Sequence, residues 1–315
     1  MDRPVFALLV LALFVAVVNA HYTLPEDYWK KVLPNTPMPG IVRDLLHPDA
    51  NIKAEKKAYY KEQAGKGISV TRDDIHIYHS AANLEEVRND PRAALLFLEK
   101  DLHPGAKMKL RFIKSSPPAA FIPRAVADAL PFSSGKLPEI LARFSVKPDS
   151  IEAEQVRQML KMCEDVSASG GEAQHCATSL ESMVDFAASS LGTHNVRAVS
   201  TEAFKEEDAQ KKQQYYTVPA SGMEILATGG KVVVCHVEPY PYAVLYCHMS
   251  ASSTKAYVVP LVGEDGSKVA AGAVCHMNTS TWNPGHVAFK LLDVKPGTPI
   301  CHFLLQDNVI WVPSN

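Results

Sequence analysis

The sequence predicts an α+β fold, in which a helical first third of the main domain is followed by a largely antiparallel β domain stapled by disulfides. Helical periodicity is found in residues 123–165 and again in residues 180–191. From Val196 onward, short runs of β-branched and aromatic residues alternate with turn residues. The chain has 315 residues, of which 47% are apolar, and this is enough for one large domain with an appendage.

The N-terminus has the features of a secretory signal peptide. Arg3 gives a short positively charged region, residues 4–18 form an apolar run, and residues 18–20 include the small side chains that signal peptidase reads. We expect cleavage between Ala20 and His21, which would remove residues 1–20. A transmembrane anchor is the alternative, but the run is shorter than the ~20 residues that a span needs. We therefore expect a secreted protein without a transmembrane span.

Composition divides the rest of the chain into three parts. Residues 21–50 form an N-terminal module, in which the three prolines of Leu33–Pro39 forbid a continuous helix and favour an extended, turn-rich segment. Residues 51–94 are polar and charged without a stable period, so we interpret them as a variable linker or arm. The composition turns apolar at residue 95, and we place the main domain at residues 95–315.

Local patterns predict the elements of the main domain. Residues 108–112 alternate apolar and charged side chains, as a half-buried strand does. Asp149 and Glu152 form a capping pair before one helix, and Gly192 ends a second helix whose apolar residues share one face. The strands predicted in the β half are Val232–Val234, Tyr242–Tyr246, Ala256–Val262, Val269–Val274, His286–Val294 and Val309–Val312.

The charge of the chain argues against nucleic acid as a partner. The formal net charge is −2, and 21% of the residues are charged. A nucleic-acid-binding surface needs a basic patch or stripe, and the sequence contains no basic run. We therefore expect no nucleic-acid partner.

The most specific feature of the sequence is a Cys-His dipeptide that occurs four times in the β half, with intervening stretches of 10, 26 and 24 residues. Adjacent residues in a strand point to opposite faces of the sheet, so each dipeptide sends sulfur one way and imidazole the other, unless a β-bulge intervenes. Four such strands would gather cysteines on one side, where two disulfides could form, and histidines on the other. The dipeptides are Cys235-His236, Cys247-His248, Cys275-His276 and Cys301-His302.

We interpret His236, His248, His276 and His302 as ligands of a copper site. Imidazole is the commonest metal ligand, and copper(II) has the highest intrinsic affinity among the divalent ions. A zinc site made of cysteine and histidine is one alternative, but such sites use closely spaced ligands and an oxidising compartment disfavours thiolates. For each histidine alone, the other alternative is an ordinary core or surface imidazole that is satisfied by hydrogen bonds.

Two further cysteines lie outside this set. Cys163 and Cys176 are 13 positions apart and flank a glycine turn, which predicts a local disulfide that staples two helices. Closing a loop of that size stabilises a fold by about 3 kcal/mol. The six cysteines allow 15 pairings in all, and the sequence leaves open how Cys235, Cys247, Cys275 and Cys301 pair.

The four dipeptides and their spacing resemble the defining pattern of plant BURP domains. Several other segments resemble motifs of the same family, including its N-terminal module, and residues 131–138 resemble its dehydration-responsive branch. The resemblance covers residues 21–50 and about 95–315. The segments are Tyr28-Trp29, Leu33–Pro39, Phe97–Gly105, Cys176–Met183 and Ile310–Pro313.

The resemblance implies one of two kinds of function. Many members are secreted or cell-wall proteins of drought, salt or developmental responses, so the chain would act in the apoplast, the cell wall or the vacuole, with a cell-wall component as a partner. Others are copper-dependent peptide cyclases, which oxidatively join a Trp or Tyr side chain of a core peptide to another residue. In both cases the four histidines would hold the copper, and His103 and His286 are further candidates.

A self-modifying cyclase would carry its substrate within the chain. The sequence has no repeated short segment, and its three tryptophans all lie within motifs of the family. Ile75–Tyr78 could be a four-residue core that ends in Tyr, but its alternation is equally explained by a short amphipathic strand. We therefore favour the first kind of function, and for an enzyme we expect a separate Trp- or Tyr-containing peptide as substrate.

Overall fold

The computed structural model describes residues 24–48, 57, 95–114, 119–165, 173–203, 213–250 and 253–314. The predicted signal peptide, the segment Ile75–Tyr78 and nearly all of the predicted linker lie outside these residues. Over the described ranges the helices are α1 (Pro25–Val32), α2 (Gly40–Leu46), α3 (Arg124–Ala127), α4 (Leu137–Arg143), α5 (Ile151–Glu164), α6 (Leu180–Leu191) and α7 (Val287–Leu292). None of them has the length and apolar character needed to cross a membrane.

Thirteen strands are found over the same ranges. They occur along the whole of the main domain and become dense after α6. The strands are β1 (Leu96–Phe97), β2 (Lys107–Leu110), β3 (Gln174–Ala177), β4 (Val196–Ser200), β5 (Glu202–Ala203), β6 (Gln214–Thr217), β7 (Glu224–Ala227), β8 (Val232–Glu238), β9 (Val244–Ser250), β10 (Thr254–Gly263), β11 (Lys268–His276), β12 (Ile300–Phe303) and β13 (Asn308–Pro313).

The strands form two sheets. The larger sheet has the order β1-β12-β11-β10-β6-β2, with β5 beside β11 and β7 beside β10. The smaller sheet has the order β3-β9-β8-β13-β4. All pairings between the described strands are antiparallel. The predicted α+β class with an antiparallel β part is therefore confirmed.

One face of each sheet packs against the other sheet. Val234 and Ile310 of the smaller sheet belong to one buried cluster with Ala256 and Val274 of the larger sheet. At Gly272 of β11, a Cβ atom would lie 3.1 Å from Cδ1 of Ile310 on β13, so glycine permits a close approach of the two sheets. We call the two faces that meet here the inner faces, and the opposite faces the outer faces.

Helix α6 covers the outer face of the smaller sheet. It begins at Ser179, whose hydroxyl accepts a hydrogen bond from the Ser182 amide, and it ends at Gly192, whose φ of 78° glycine adopts without strain. Its apolar side, which includes Met183, Val184 and Ala187, is fully buried. This side packs in one cluster with the outer-face residues of β8, β9 and β13, as the helical period of the sequence predicts.

The first part of the domain is only partly helical. β1, β2 and β3 lie there together with α3, α4 and α5. The predicted strand at residues 108–112 is found as β2, which begins one residue earlier and ends two residues earlier. The predicted capping pair is corrected by one position as well, because Ser150, rather than Asp149, accepts the hydrogen bond from the amide of Ala153 at the start of α5.

The prediction of a strand at His286–Val294 is wrong, because this segment forms α7. The side chain of His286 caps the helix by accepting a hydrogen bond from the amide of Ala288 at 3.2 Å. The helix buries Val287, Ala288 and Phe289 and exposes Lys290. Alanine, leucine and lysine favour helices, and this propensity, together with the cap, outweighs the apolar run that suggested a strand.

The N-terminal segment is part of the domain core. The prolines of Leu33–Pro39 lie in the turn-rich connection between α1 and α2, as expected, but the sequence analysis did not predict the two helices. The ring of Trp29 lies 5.4 Å from that of Trp311 on β13, and its Nε1 donates to the carbonyl of Thr36 at 2.9 Å. The hydroxyl of Thr36 in turn donates to the carbonyl of Val196 at 2.6 Å.

A polar cluster ties the same segment to the domain surface. The hydroxyl of Tyr28 and the guanidinium of Arg124 both donate to the carboxylate of Asp185 on α6. The guanidinium carbon also lies 5.4 Å from the centre of the Tyr28 ring, within the range of a cation–π contact. Residues far apart in the sequence thus hold α1 against α6.

Three disulfides are formed among the described residues. Cys163–Cys176 confirms the predicted local pairing, although it joins α5 to β3 instead of a second helix. Cys235–Cys247 joins β8 to β9, and Cys275–Cys301 joins β11 to β12. Each sheet therefore carries one disulfide between neighbouring strands.

Substitution of Trp29 tests whether the N-terminal segment belongs to the core. Trp29 is 3% exposed, so we expect Trp29→Ala to lower the free energy of unfolding by about 3–5 kcal/mol, as for other buried aromatic residues. Urea unfolding measures the change. Leu24→Ala is the control, because Leu24 is 63% exposed next to α1 and should cost less than about 0.5 kcal/mol. Equal effects of the two substitutions would contradict the packing described here.

The disulfides should differ in how readily they are reduced in the folded protein. Cys235, Cys247, Cys275 and Cys301 are fully buried, whereas Cys163 and Cys176 are partly exposed. Exchange requires access of an attacking thiolate, so a mild reductant followed by alkylation should label Cys163 and Cys176 first. Mass spectrometry of the alkylated peptides gives the order. Earlier labelling of the buried cysteines would contradict the burial that we describe.

Candidate metal centre

Strand register separates the cysteines from the histidines. Cys235 lies directly opposite Cys247, and Cys275 lies directly opposite Cys301, with no bulge at either position. The first disulfide packs into the outer-face core under α6, and the second packs into the outer-face core of the larger sheet. The predicted alternation therefore holds at all four dipeptides.

The four histidines lie on the inner faces. His236 is two residues from Val234 and His276 is two residues from Val274, so each shares a face with a residue of the cluster between the sheets. His248 pairs with Val234 and His302 pairs with Val274, and side chains of directly paired residues point to the same face. The alternation in the sequence predicts all four histidines on one side of a single sheet, whereas the structure divides them between two facing sheets.

His236 and His248 form a close pair. Their Nε2 atoms are 3.3 Å apart, and their rings are nearly parallel, with an interplanar angle of 9°. His236 is 7% exposed. One ring can donate to the other only if the second presents an unprotonated nitrogen, so the contact requires at least one neutral imidazole. Neutral imidazole is also the form that binds metal ions.

The distance within this pair suits a shared metal ion. A metal ion such as zinc binds imidazole nitrogen at about 2.0–2.1 Å, so two nitrogens on one ion lie roughly 3–4 Å apart. The observed separation of 3.3 Å falls in this range. The residues therefore fit a first-row metal ion that takes nitrogen ligands, and copper(II) is such an ion.

Tyr246 packs against this histidine pair. It lies directly opposite His236, and its ring stacks on that of His248 with centroids 5.7 Å apart. Its hydroxyl donates to Oε1 of Gln174 on the neighbouring strand β3 at 2.7 Å. Packing and this hydrogen bond fix the phenol, which in turn limits the orientations open to the imidazole of His248.

The aromatic surroundings of Tyr246 are uncharged at neutral pH. Tyr240 and Tyr242 belong to the same buried cluster. Burial raises the pKa of Tyr242 to about 12, with a smaller contribution from Asp128, and burial also raises the pKa of Tyr240. Both phenols therefore keep their protons, and they add no negative charge beside the histidine pair.

His276 and His302 form the second pair. Their rings are 5.6 Å apart with an interplanar angle of 14°. Trp282 lies against His276 at 5.1 Å and against His286 at 4.7 Å. His286, a further candidate ligand, therefore belongs to the same aromatic group, but its Nδ1 already accepts the hydrogen bond that caps α7.

His103, the remaining candidate ligand, is exposed in a turn. Its Nδ1 lies 3.0 Å from the carbonyl of the next residue, Pro104. Across the residues that the structure describes, no group of three or more His, Cys, Asp or Glu side chains is placed to hold a metal ion together. The histidines of the four dipeptides are thus brought together as two pairs, and the copper site remains a prediction.

Two residues beside the histidine pairs were not predicted from the sequence. Asn308 lies directly opposite His236 on β13, and Trp282 lies beside His276. Asn308 is a polar residue directly before the apolar run at 309–312, and this position could have marked it as a candidate site residue. Trp282 gave no such signal, because its place depends on α7 and on the preceding loop.

The chain is similar to known proteins over most of its length. The family model described as "BURP domain" matches residues 95–313. BURP domain-containing protein 3 of Oryza sativa subsp. japonica is 54% identical over 242 residues, which are 76% of this chain and 55% of that protein. BURP domain-containing protein 5 of the same species is 45% identical over 289 residues, or 91% and 86% of the two chains.

A third relative comes from another plant. BURP domain protein RD22 of Arabidopsis thaliana is 49% identical over 239 residues, which are 75% of this chain and 59% of that protein. The chain thus spans less than two thirds of the length of two of these three relatives. The match of the family model and the identities together establish that the chain belongs to the BURP domain family.

Proposed function

We propose that this plant BURP-domain protein is secreted and binds copper through its paired inner-face histidines. The observation that carries the proposal is the approach of His236 Nε2 to His248 Nε2 at 3.3 Å, which suits two ligands of one ion. The second pair, His276 and His302, repeats the parallel arrangement on the facing sheet. Each pair supplies two nitrogen ligands, and further positions on the ion are open to other ligands.

The disulfides hold the ligands in place. In each pair the two histidines directly follow cysteines that are joined to one another, so the strands that carry them cannot separate. Such preorganisation favours metal binding, because less conformational entropy is lost when the ion is bound. Copper would supply one-electron redox chemistry at such a site.

The compartment and biological role are proposed on separate grounds. The apolar N-terminal run with its small-residue cleavage site supports secretion, and disulfides are typical of secreted proteins. Similarity to the dehydration-responsive branch supports a role in stress or developmental responses in the apoplast, the cell wall or the vacuole. A cell-wall component is the corresponding partner.

Copper binding is tested by titration of the purified mature protein. We expect His248→Ala to weaken copper(II) binding by more than the roughly 10–100-fold that loss of an outer-shell partner costs. Competition with a chelator measures the affinity, and electron paramagnetic resonance detects nitrogen ligands. His175→Ala is a matched control, because His175 lies on the neighbouring strand β3, its ring stacks on Phe186 of α6, and its Nε2 lies 2.7 Å from the Ser182 hydroxyl. Equal affinities of the two variants would refute the proposed site.

A copper-dependent peptide cyclase is the second candidate function. The observation that favours it is the partly exposed Trp282, whose ring lies 5.1 Å from that of the partly exposed His276. The residues that follow Trp282, 283–285, are exposed. An aromatic side chain of a peptide could stack there. The reaction would join a Trp or Tyr side chain of a separate peptide to another of its residues, and dioxygen would take up the two electrons and two protons to give hydrogen peroxide.

The mass of a peptide after incubation with the protein distinguishes the two candidate functions. The copper-loaded mature protein is incubated in air with Trp- and Tyr-containing peptides, and for a cyclase we expect a product that lacks two hydrogen atoms. His276→Ala should abolish the product, whereas His175→Ala should retain it. Copper binding without any product across a broad peptide library would favour the non-catalytic role.

A further inference from the structure

Asn308 is an interior residue whose side chain lacks partners. It is 0% exposed, and neither its Oδ1 nor its Nδ2 has a hydrogen-bond partner among the described residues. Its backbone amide is satisfied by the carbonyl of Leu305 at 3.3 Å. Buried carboxamides are normally hydrogen-bonded, because desolvation without compensation is costly, so an orphaned one points to a group that the protein chain does not supply.

The register places this side chain beside the first histidine pair. Asn308 lies directly opposite His236 on the neighbouring strand. Directly paired residues project from the same face, with Cβ atoms about 4.5–5.5 Å apart. Tyr246 flanks His236 on the other side. On the inner face, Asn308, His236 and Tyr246 thus lie side by side on three neighbouring strands, and His248 lies next to His236.

The residues that follow Asn308 on this face are apolar, so a carboxamide is unexpected at this position. Ile310 and Val312, which follow on the same side of β13, are buried in the apolar cluster between the sheets. An apolar residue at position 308 would continue this cluster. Asparagine instead puts an amide oxygen, which metal ions accept as a ligand alongside nitrogen, on the strand position directly opposite His236.

We propose that Asn308 completes the site at His236 and His248 by presenting its carboxamide oxygen to the bound cation. The inference rests on the proposed function, because it requires copper at this pair. It assigns Asn308 a role as an oxygen ligand that raises the affinity for the ion and changes its ligand field. Binding of the cation would then satisfy the carboxamide oxygen of Asn308, which no other described group satisfies.

Gln155 provides a matched control elsewhere in the fold. It lies on α5, is 1% exposed, and also lacks partners for both side-chain polar atoms among the described residues. Gln155 lies on a helix and is not paired with a histidine, whereas Asn308 is paired directly with His236 on the neighbouring strand. A purely structural effect of an unsatisfied buried amide should therefore appear at Gln155 and Asn308 alike, whereas an effect on bound metal should appear at Asn308 alone.

The test compares Asn308→Leu with Gln155→Leu in the full-length mature protein, with copper(II) as the probe. Both substitutions remove an unsatisfied buried amide, so both should maintain or raise the melting temperature of the metal-free protein. We expect Asn308→Leu to lower the affinity for copper(II) about 10–100-fold and to change the electron paramagnetic resonance spectrum. We expect Gln155→Leu to leave both unchanged.

A second substitution keeps the inference testable if Asn308→Leu fails to fold. Asn308→Asp retains an oxygen at the same position and adds negative charge, so it should keep copper(II) binding but alter the spectrum. Wild-type affinity and spectrum in both Asn308 variants would overturn the inference and leave the histidine site intact. Failure of the wild-type protein to bind copper would instead refute the proposed function, and the role of Asn308 would fall with it.

Discussion

The structure depends on one geometric constraint, the alternation of side chains along paired strands. Because each Cys-His dipeptide lies in a regular antiparallel ladder, sulfur and imidazole are forced to opposite faces. Cys235 can meet Cys247 only if the two strands are in register, and the same register brings His236 and His248 together. The disulfide and the histidine pair are therefore two consequences of a single alignment.

This constraint also explains the layered core. The outer faces carry the disulfides and need cover, which α6 and the N-terminal helices supply for the smaller sheet. Trp29 reaches Trp311 in this layer, although 282 positions separate them in the sequence. The inner faces cover each other in part, where Gly272 lets Ile310 approach, and α4 and α5 cover Val244 and Tyr246 of the smaller sheet. The histidines lie on these inner faces, and in each pair a disulfide joins the two strands that carry them.

Much of this arrangement could be predicted from the sequence, and the exceptions have physical reasons. Alternation placed the sulfurs and imidazoles correctly, and helical periodicity located α6 with its Gly192 end. Periodicity could not separate a short apolar helix from a strand at residues 286–294, where the His286 cap and helix propensity decided the outcome. It also could not show that the dipeptides divide between two facing sheets, since strand order is set by long-range packing. Asn308 escaped notice because its significance depends on a neighbour 72 positions away.

Parallel imidazoles, a fixed phenol and an unsatisfied carboxamide share the inner face of the smaller sheet, and the proposal assigns copper to them. Anomalous X-ray diffraction at the copper absorption edge, from crystals of the copper-loaded protein, tests this arrangement most directly. The account predicts an anomalous peak within bonding distance of Nε2 of both His236 and His248. A peak confined to an exposed imidazole such as His103, with none between the sheets, would contradict it.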